Sequence, residues 1–141
     1  MLVAGIIGLG VGERHIHGYL SNLRCKLKTI CDKDSVKLNQ VGERYNQFEL
    51  TTDPNQILDD PEINIVSIAS YDNYHASQVL KAIYSGKHVF VEKPLCILPK
   101  ELKQISIALN KNPNIKISSN LVLRQSPNFL DVKKSIDRNT F

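Results

Sequence analysis

The stretch LVAGIIGLGVG, residues 2–12, indicates the fold of the whole chain. An apolar run of this length that leads into alternating glycines, Gly8, Gly10 and Gly12, is typical of a strand buried on both faces of a parallel sheet. Ile16 and the apolar residues after it recur at helical spacing. The stretch therefore predicts a strand, a glycine turn and a helix that begins at the turn.

Strand and helix patterns alternate along the rest of the chain. Asp34 or Ser35 and then Asp72 are candidate helix caps, and Gly86 is a candidate helix stop. Further strands are predicted over residues 27–31, 48–50, 63–69, 88–91 and 115–118, helices over 35–45, 72–86 and 99–112, a short helical turn at Pro54, and a last helix from Pro127 to the terminus. This alternation predicts an α/β fold: a Rossmann-type doubly wound, mainly parallel six-stranded sheet with helices on both faces.

The composition is that of one globular domain. The chain has 141 residues, 42% of them apolar and 23% charged, so a packed core needs neither disulfides nor a metal. No apolar run approaches the roughly 20 residues of a membrane span, and the N-terminus lacks the basic flank of a signal peptide. Cys25 and Cys31 flank or lie in one predicted strand, too far apart to form a disulfide. We therefore expect a cytoplasmic protein with reduced thiols and no membrane partner.

Basic residues are concentrated in the second half of the chain. The net charge is +4, and residues 71–141 hold 11 Lys and Arg against 5 Asp and Glu. These lysines are scattered singly along predicted helices without the interleaved aromatic residues that stack on nucleic-acid bases. The pattern is typical of a solvated surface, and we expect no nucleic-acid partner.

The glycine turn has the composition of a phosphate-binding turn. Gly8 permits a tight turn, Gly10 removes the side chain that would face a pyrophosphate, and the following helix N-terminus supplies amide donors and a positive dipole. The turn residues Gly8, Leu9, Gly10, Val11 and Gly12 are therefore predicted to bind a dinucleotide. The alternative is a strand-to-helix turn that needs glycine for structural reasons alone.

Two features adjust this prediction. The third fingerprint position is Glu13, so either the helix packs more loosely on the strand or the pattern shifts onto Gly12. Asp32 ends the second predicted strand, 24 residues after Gly8, where an acidic side chain accepts hydrogen bonds from a ribose diol. The expected cofactor is NAD, with NADP possible because Lys33 softens the repulsion between Asp32 and a 2′-phosphate.

An S-adenosylmethionine-dependent methyltransferase is an alternative interpretation of the same glycines and acid. Such enzymes resemble one another in an acidic residue two positions before the first glycine. That position is Ile6 here, so the pattern favours the dinucleotide.

Lys93 lies where the fifth predicted strand ends, in Glu92-Lys93-Pro94. Ligands of open α/β sheets bind at the carboxyl ends of the strands. A lysine there can polarise a carbonyl or hydroxyl oxygen during hydride transfer, and Glu92 can pair with it. A surface Glu–Lys pair before a proline turn is the alternative.

Glu92-Lys93-Pro94, following an N-terminal Gly-x-Gly, resembles the Gfo/Idh/MocA family, which includes glucose-fructose oxidoreductase and inositol dehydrogenase. ASYDNYH, residues 69–75, resembles the family's A-T-P-N-x-x-H, with His75 matched and Ser, Tyr and Asp in place of Thr, Pro and Asn. The resemblance implies cofactor contacts from Ser70, His75, Glu92 and Lys93.

Asn120 and Arg124 resemble the family's N-x-R-F segment, with Gln125 in place of the phenylalanine. By resemblance they bind substrate together with Lys93, which is placed at the reacting oxygen. The implied reaction is NAD(P)-dependent oxidation or reduction of a sugar, cyclitol or nucleotide-sugar carbon. A non-catalytic nicotinamide-binding or regulatory module is the alternative.

Family members also carry a second α/β domain with a D-x-x-x-H pair. We expect residues 1–120 to form the dinucleotide-binding domain and 121–141 to begin the connection to a substrate domain absent from this chain. The chain alone is then expected to be inactive, and the full-length protein to be a homo-oligomer.

His15 and His17 do not form a metal site. Residues two apart on a helix lie about 200° apart around its axis and cannot converge on one ion. His15 is expected to have a cofactor-side or packing role, His17 to lie on the surface, and Cys96 to pack as a small apolar residue. No metal is expected.

Overall fold

The computed structural model describes residues 1–138, which fold around one six-stranded sheet. The strand order is β3-β2-β1-β4-β5-β6, and every neighbouring pair is parallel. The strands are β1 Leu2–Ile7, β2 Cys25–Cys31, β3 Glu49–Thr51, β4 Ile65–Ile68, β5 His88–Val91 and β6 Ile117–Ser119. The order reverses between β1 and β4, so the predicted doubly wound Rossmann-type fold is confirmed.

Helices connect the strands in sequence order. They are α1 Glu13–Leu20, α2 Ser35–Tyr45, α3 Asn55–Leu58, α4 Asp72–Tyr84 and α5 Pro99–Lys111, followed by a 3₁₀ turn over Val122–Gln125 and by α6 Pro127–Asp137. The predicted last helix and the predicted connection both extend into residues 139–141, which lie outside the described residues.

Alternate side chains of β1, a central strand, pack into two separate apolar cores. Ile6 packs with Ile16 of α1 and Val41 of α2 on one face of the sheet. Ile7 packs on the other face, in a larger cluster with residues of α3, α4 and α5 such as Val79 and Ile105. Helices therefore cover both faces, as the continuous apolar pattern of β1 predicts.

Of the predicted helix caps, the structure confirms the one at Asp34 and contradicts the one at Asp72. The Asp34 carboxylate caps α2 by accepting from the amides of Val36 and Lys37 at 2.9 and 3.1 Å, which confirms Asp34 over Ser35. Asp72 was the wrong cap for α4, because Tyr71 occupies the N-cap position. Asp72 is instead the first helical residue, where its negative charge faces the positive end of the helix dipole.

The three cysteines are free thiols, and Cys25 and Cys31 lie at opposite ends of β2. Burial raises the pKa of the Cys31 thiol to about 12, so this group is protonated at neutral pH. Within residues 1–138, no helix combines the length and the apolar character that crossing a bilayer requires.

Candidate functional site

The first glycine of the turn is required by its backbone and by its surroundings. Gly8 has a φ of +89°, in the left-handed region that favours glycine. A Cβ at this position would also overlap the carbonyl oxygen of Ala69, at the end of β4. The Gly8 amide donates to the carbonyl oxygen of Cys31 at 2.8 Å. Gly8 therefore lets the turn pass tightly between two neighbouring strands.

Gly12 is the glycine at which α1 packs closely on the sheet. A Cβ there would overlap the Gly8 carbonyl oxygen and approach the Ala69 Cβ to 2.9 Å. Glu13 has no such role, and its carboxylate instead pairs with Arg44 at 2.7 Å. The fingerprint is therefore shifted by one residue onto Gly12, one of the two possibilities that the sequence leaves open.

Gly10 differs from both of these glycines. A Cβ at Gly10 would meet no protein atom within 4 Å, so packing does not require glycine there. Within residues 1–138, the backbone amides of Gly10, Val11 and Gly12 donate to no acceptor. Successive free amides beside open space form a binding site for an anion. The turn therefore fits a pyrophosphate.

Asp32 joins this turn to the end of β2. Its Oδ2 accepts from the Leu9 amide at 2.7 Å, and its Oδ1 accepts from the Asp34 amide at 2.9 Å. Both carboxylate oxygens keep further lone pairs. Asp32 can therefore hold the turn in place and still accept from a ribose hydroxyl.

Gly8, Gly10, Val11 and Asp32 line a cleft of about 400 Å³ at the carboxyl edge of the sheet. The volume lies within the range of about 300–1,000 Å³ that is typical of small-molecule sites. Its walls come from the ends of β1, β2 and β4, the start of α2, the residue before α3 and the first two turns of α4: Ile7, Gly8, Gly10, Val11, Cys31, Asp32, Lys33, Asp34, Lys37, Pro54, Ala69, Ser70, Tyr71, Tyr74 and Gln78.

The β2 side of the cleft carries a lysine held against an aromatic ring. The Lys33 ammonium lies 3.8 Å from the centroid of the Tyr74 ring. Hydrogen bonding to Lys33 and its positive charge lower the pKa of the Tyr74 phenol. Lys37, on the first turn of α2, lines the same side.

Gln78 is a cleft residue that the sequence analysis missed. It is buried, and its Oε1 accepts from the Ser70 hydroxyl at 2.7 Å. The available signal was helical spacing, because Tyr71, Tyr74 and Gln78 recur at intervals of three and four residues along one face of α4.

Glu92, at the end of β5, belongs to a buried polar cluster. Its Oε1 accepts from the Asn120 side-chain amide at 2.6 Å and lies 3.1 Å from His15 Nε2. Burial acts to raise the pKa of Glu92, but the hydrogen bonds from Asn120 and His15 lower it below its ordinary value. The predicted Glu92–Lys93 pair was wrong, because within residues 1–138 Glu92 contacts these two partners from distant segments and forms no ion pair with Lys93.

Lys93 itself is exposed, and within residues 1–138 it forms no ion pair. Pro94, which follows Lys93, is held by a contact with His75 of α4. His75 is fully buried, with Nδ1 2.7 Å from the Pro94 carbonyl oxygen and Nε2 3.0 Å from the Ser70 carbonyl oxygen. A backbone carbonyl oxygen therefore lies beside each ring nitrogen of a fully buried side chain, so His75 contacts two turns and is not among the residues that line the cleft.

Arg124 lies apart from the cleft. It lines a larger groove of about 730 Å³ between the 3₁₀ turn and α6, with Leu123, Phe129, Leu130 and Lys133. No residue of the glycine turn borders this groove. The smaller cleft, with its free amides and Asp32, therefore has the chemistry for a dinucleotide.

The two histidines of α1 have separate surroundings. His15 contacts Glu92 and lies edge-on to the Phe90 ring at 5.1 Å. His17 is exposed and lies 3.4 Å from the Tyr45 hydroxyl. Across the described chain, no three His, Cys, Asp or Glu side chains are grouped to hold a metal ion.

Comparison with known proteins places this geometry in a family. Residues 2–120 match the Gfo/Idh/MocA model, described as an oxidoreductase family with an NAD-binding Rossmann fold. The scyllo-inositol 2-dehydrogenase (NAD⁺) of Bacillus subtilis is 30% identical over 135 residues, which cover 94% of this chain and 39% of that protein. The myo-inositol 2-dehydrogenase of Thermotoga maritima is 26% identical over 137 residues, 96% of this chain and 41% of that protein.

Solved structures show the same fold. The myo-inositol 2-dehydrogenase of Lactobacillus plantarum superposes with a TM-score of 0.88 at 27% identity, over 97% of this chain and 41% of that chain. The scyllo-inositol dehydrogenase of Lactobacillus casei, solved with NAD(H) and scyllo-inositol, has a TM-score of 0.87 at 23% identity, over 98% of this chain and 41% of that chain.

The chain thus spans about two fifths of the length of the curated relatives it matches. None of these similarities supports the methyltransferase alternative. This chain belongs to the Gfo/Idh/MocA oxidoreductase family, and residues 2–120 are its NAD-binding Rossmann-fold domain.

Proposed function

We propose that this chain is the cofactor-binding part of a dehydrogenase that acts on a hydroxyl or carbonyl of a sugar, cyclitol or nucleotide sugar, with NAD bound more tightly than NADP. The observation that best supports the cofactor site is the difference between the surroundings of the three glycines. Packing requires Gly8 and Gly12, whereas Gly10 faces open space beside free amides. A bound pyrophosphate explains the glycine at position 10, because it occupies the space that a side chain would fill.

The chain's own residues supply distinct parts of this site. The amides of Gly10, Val11 and Gly12 bind the pyrophosphate, and Asp32 accepts from the ribose diol while it holds Leu9. Ser70 and Gln78 form the wall at the end of β4. NAD, when bound, supplies the hydride acceptor. The preference for NAD follows from Asp32, because its charge repels a 2′-phosphate.

Lys93 is proposed to act at the reacting oxygen of the substrate. The hydrogen bonds of Glu92 and Pro94 fix the backbone on either side of Lys93, while its side chain stays exposed. A fixed backbone with a free ammonium suits a group that donates a hydrogen bond to the substrate oxygen. Glu92 and His75 are then positioning residues for Lys93.

We propose that residues 1–120 form the cofactor domain and that 121–141 begin the connection to a substrate domain. In support, the residues matched by the family end at 120, and α6 exposes its apolar residues Phe129, Val132 and Ile136. Asn120 and Arg124 are proposed to contact substrate at that boundary. A cytoplasmic location and a homo-oligomeric full-length protein stay predictions.

Calorimetry tests the cofactor assignment directly. We expect NADH to bind the isolated chain with a single-site isotherm and S-adenosylmethionine to give no binding heat. A folded chain that gives no binding heat with NADH contradicts the proposal. Downstream coding sequence separates a catalytic protein from a non-catalytic binding module, because only the former needs a D-x-x-x-H segment in a second domain.

A further inference from the structure

We propose that Gln78 recognises the adenine base of the dinucleotide through hydrogen bonds, so that the cleft selects adenine over hypoxanthine. The inference rests on the proposed cofactor function and extends it from the phosphates and the ribose to the base. Base recognition then comes from a side chain of α4, and not from the strand-to-helix turns that hold the rest of the cofactor.

The side-chain amide of Gln78 is buried, but the protein uses only its oxygen. Gln78 is 8% exposed, and its Oε1 accepts from the Ser70 hydroxyl at 2.7 Å. Its Nε2 donates to no acceptor in the described part of the chain. A donor that is removed from bulk water and left without a partner is unfavourable. An acceptor for this nitrogen therefore has to come from outside the protein.

The free Nε2 faces the cleft. Among residues 1–138, His15 Nδ1 is the one fully enclosed side-chain nitrogen or oxygen without a hydrogen-bond partner. The Gln78 Nε2 has no partner and is not such an atom, so it borders open space. Because Gln78 lines the cleft, that open space is the cleft itself.

Gln78 lies on the side of the cleft that is left for the base. In the proposed site, the amides of the glycine turn bind the pyrophosphate at the N-terminus of α1, and Asp32 binds the ribose diol. Pro54, directly before α3, and Gln78, in the second turn of α4, line the same cleft. α3 and α4 pack on one face of the sheet and α1 packs on the other. The base, which is joined to the ribose at Asp32, therefore has the α3–α4 side available to it.

The surroundings of Gln78 suit a flat base with a polar edge. Tyr74, one helical turn before Gln78, and Pro54 add ring surfaces to the same cleft. Small-molecule sites combine apolar walls of this kind with a few polar groups that fix the orientation of the ligand. On the α3–α4 side, the amide of Gln78 supplies such a polar group.

The free groups of Gln78 match one edge of adenine. Besides the Nε2 donor, Oε1 keeps a lone pair after accepting from Ser70. Adenine has its amino donor next to a ring-nitrogen acceptor, and a glutamine amide binds this pair with two hydrogen bonds. Hypoxanthine has a carbonyl oxygen in place of the amino group, so two acceptors, this oxygen and Oε1, would face each other. Adenine is therefore the base that fits Gln78.

Titration of NADH and of reduced nicotinamide hypoxanthine dinucleotide tests the assignment, because the two compounds differ in the base alone. The unaltered chain should bind NADH at least about tenfold more tightly. In Gln78→Met, which keeps a similar length and lacks both amide groups, the two dissociation constants should agree within about threefold. Gln104→Met, the same substitution on an exposed part of α5, should leave their ratio unchanged.

Gln78→Ala repeats the comparison if the methionine variant does not fold, because alanine favours the helix and adds no atoms. Equal affinity of the unaltered chain for the two dinucleotides overturns the proposal. A preference for NADH that persists in folded variants at position 78 also overturns it, since another residue would then select the base. An unaltered chain that binds neither dinucleotide, with circular dichroism confirming its fold, contradicts the proposed function itself, so the two failures are distinguishable.

Discussion

His75 Nδ1 lies 2.7 Å from the carbonyl oxygen of Pro94, so a buried side chain of α4 holds the turn that carries Lys93. Glu92, on the other side of Lys93, is bound to Asn120 and His15. The residues that fix this turn, His75 and Glu92, are therefore different from the residue that the turn exposes, Lys93. Substitutions should separate binding, stability and turnover accordingly.

Gly10→Val should abolish dinucleotide binding and leave the fold intact. The new side chain meets no protein atom within 4 Å at its Cβ, but it occupies the space beside the free amides. NADH titration and a thermal melt measure the two effects. Gly18→Val is the matched control, because Gly18 also has open space around it and lies away from the cleft. Unchanged NADH affinity in a folded Gly10→Val protein contradicts the assignment.

Gly12→Ala should act mainly on stability. A Cβ at this position overlaps the Gly8 carbonyl oxygen, so α1 or the turn must shift. Overpacking of this kind costs about 1–3 kcal/mol, measured as a lower midpoint in urea. A Gly12→Ala protein as stable as the original would mean that α1 does not pack on the turn as described.

Asp32→Ser should narrow or reverse the preference for NADH over NADPH. The substitution removes the acceptor for the ribose diol and the charge that repels a 2′-phosphate. The ratio of the two dissociation constants is the measured quantity, and we expect it to change by about tenfold or more. Equal affinity of the unaltered chain for both cofactors would count against this role of Asp32.

Lys93→Met should reduce turnover and spare cofactor binding. Methionine removes the charge and the three donors of the lysine at similar length. In the proposed enzyme, with its substrate domain present, loss of a transition-state hydrogen bond of this kind costs about 2.7–4 kcal/mol, or roughly 100- to 1000-fold in rate. NADH affinity of the isolated chain should not change. Near-normal turnover with cofactor bound would remove Lys93 from the mechanism.

Glu92→Gln should destabilise the fold at neutral pH and matter less in acid. The pKa of Glu92 lies below its ordinary value of 4.5 in the folded chain, so the unfolded state binds the proton more readily there. The stabilisation is therefore present above the ordinary pKa and is lost as the pH falls through the folded pKa. Urea unfolding of the unaltered chain and of Glu92→Gln, from neutral pH to below pH 4.5, measures the difference between their free energies of unfolding. A difference that grows on acidification contradicts the role of the carboxylate.

Local patterns in the sequence predict most of the fold and the local features of the candidate site. The six strands, the glycine turn, Asp32 after β2 and a helix cap at Asp34 or Ser35 depend on neighbouring residues, and each of them was predicted. The partners of Glu92 were not, because His15 and Asn120 are 77 and 28 residues away along the chain and only the folded sheet brings them together. The order of the strands places them side by side, and no local pattern encodes that contact.

Burial of polar groups was missed for the same reason. His75 resembled a ligand-contact residue, yet it is fully buried, with a backbone carbonyl oxygen beside each of its nitrogens. Lys87 is also buried, and its ammonium donates to the carbonyl oxygens of Asp60 and Ile63. Burial lowers the pKa of Lys87. A lysine before a strand has the same local sequence whether it is exposed or enclosed.

The bond from the Leu9 amide to the Asp32 carboxylate has a kinetic consequence. Protein contacts alone already hold the turn in a shape suited to its ligand, so binding needs no slow rearrangement of the loop and little loss of loop entropy. The observed association rate should therefore rise linearly with NADH concentration, without a plateau. In stopped-flow experiments an Asp32→Ser turn, released from this bond, should add a slower, concentration-independent phase.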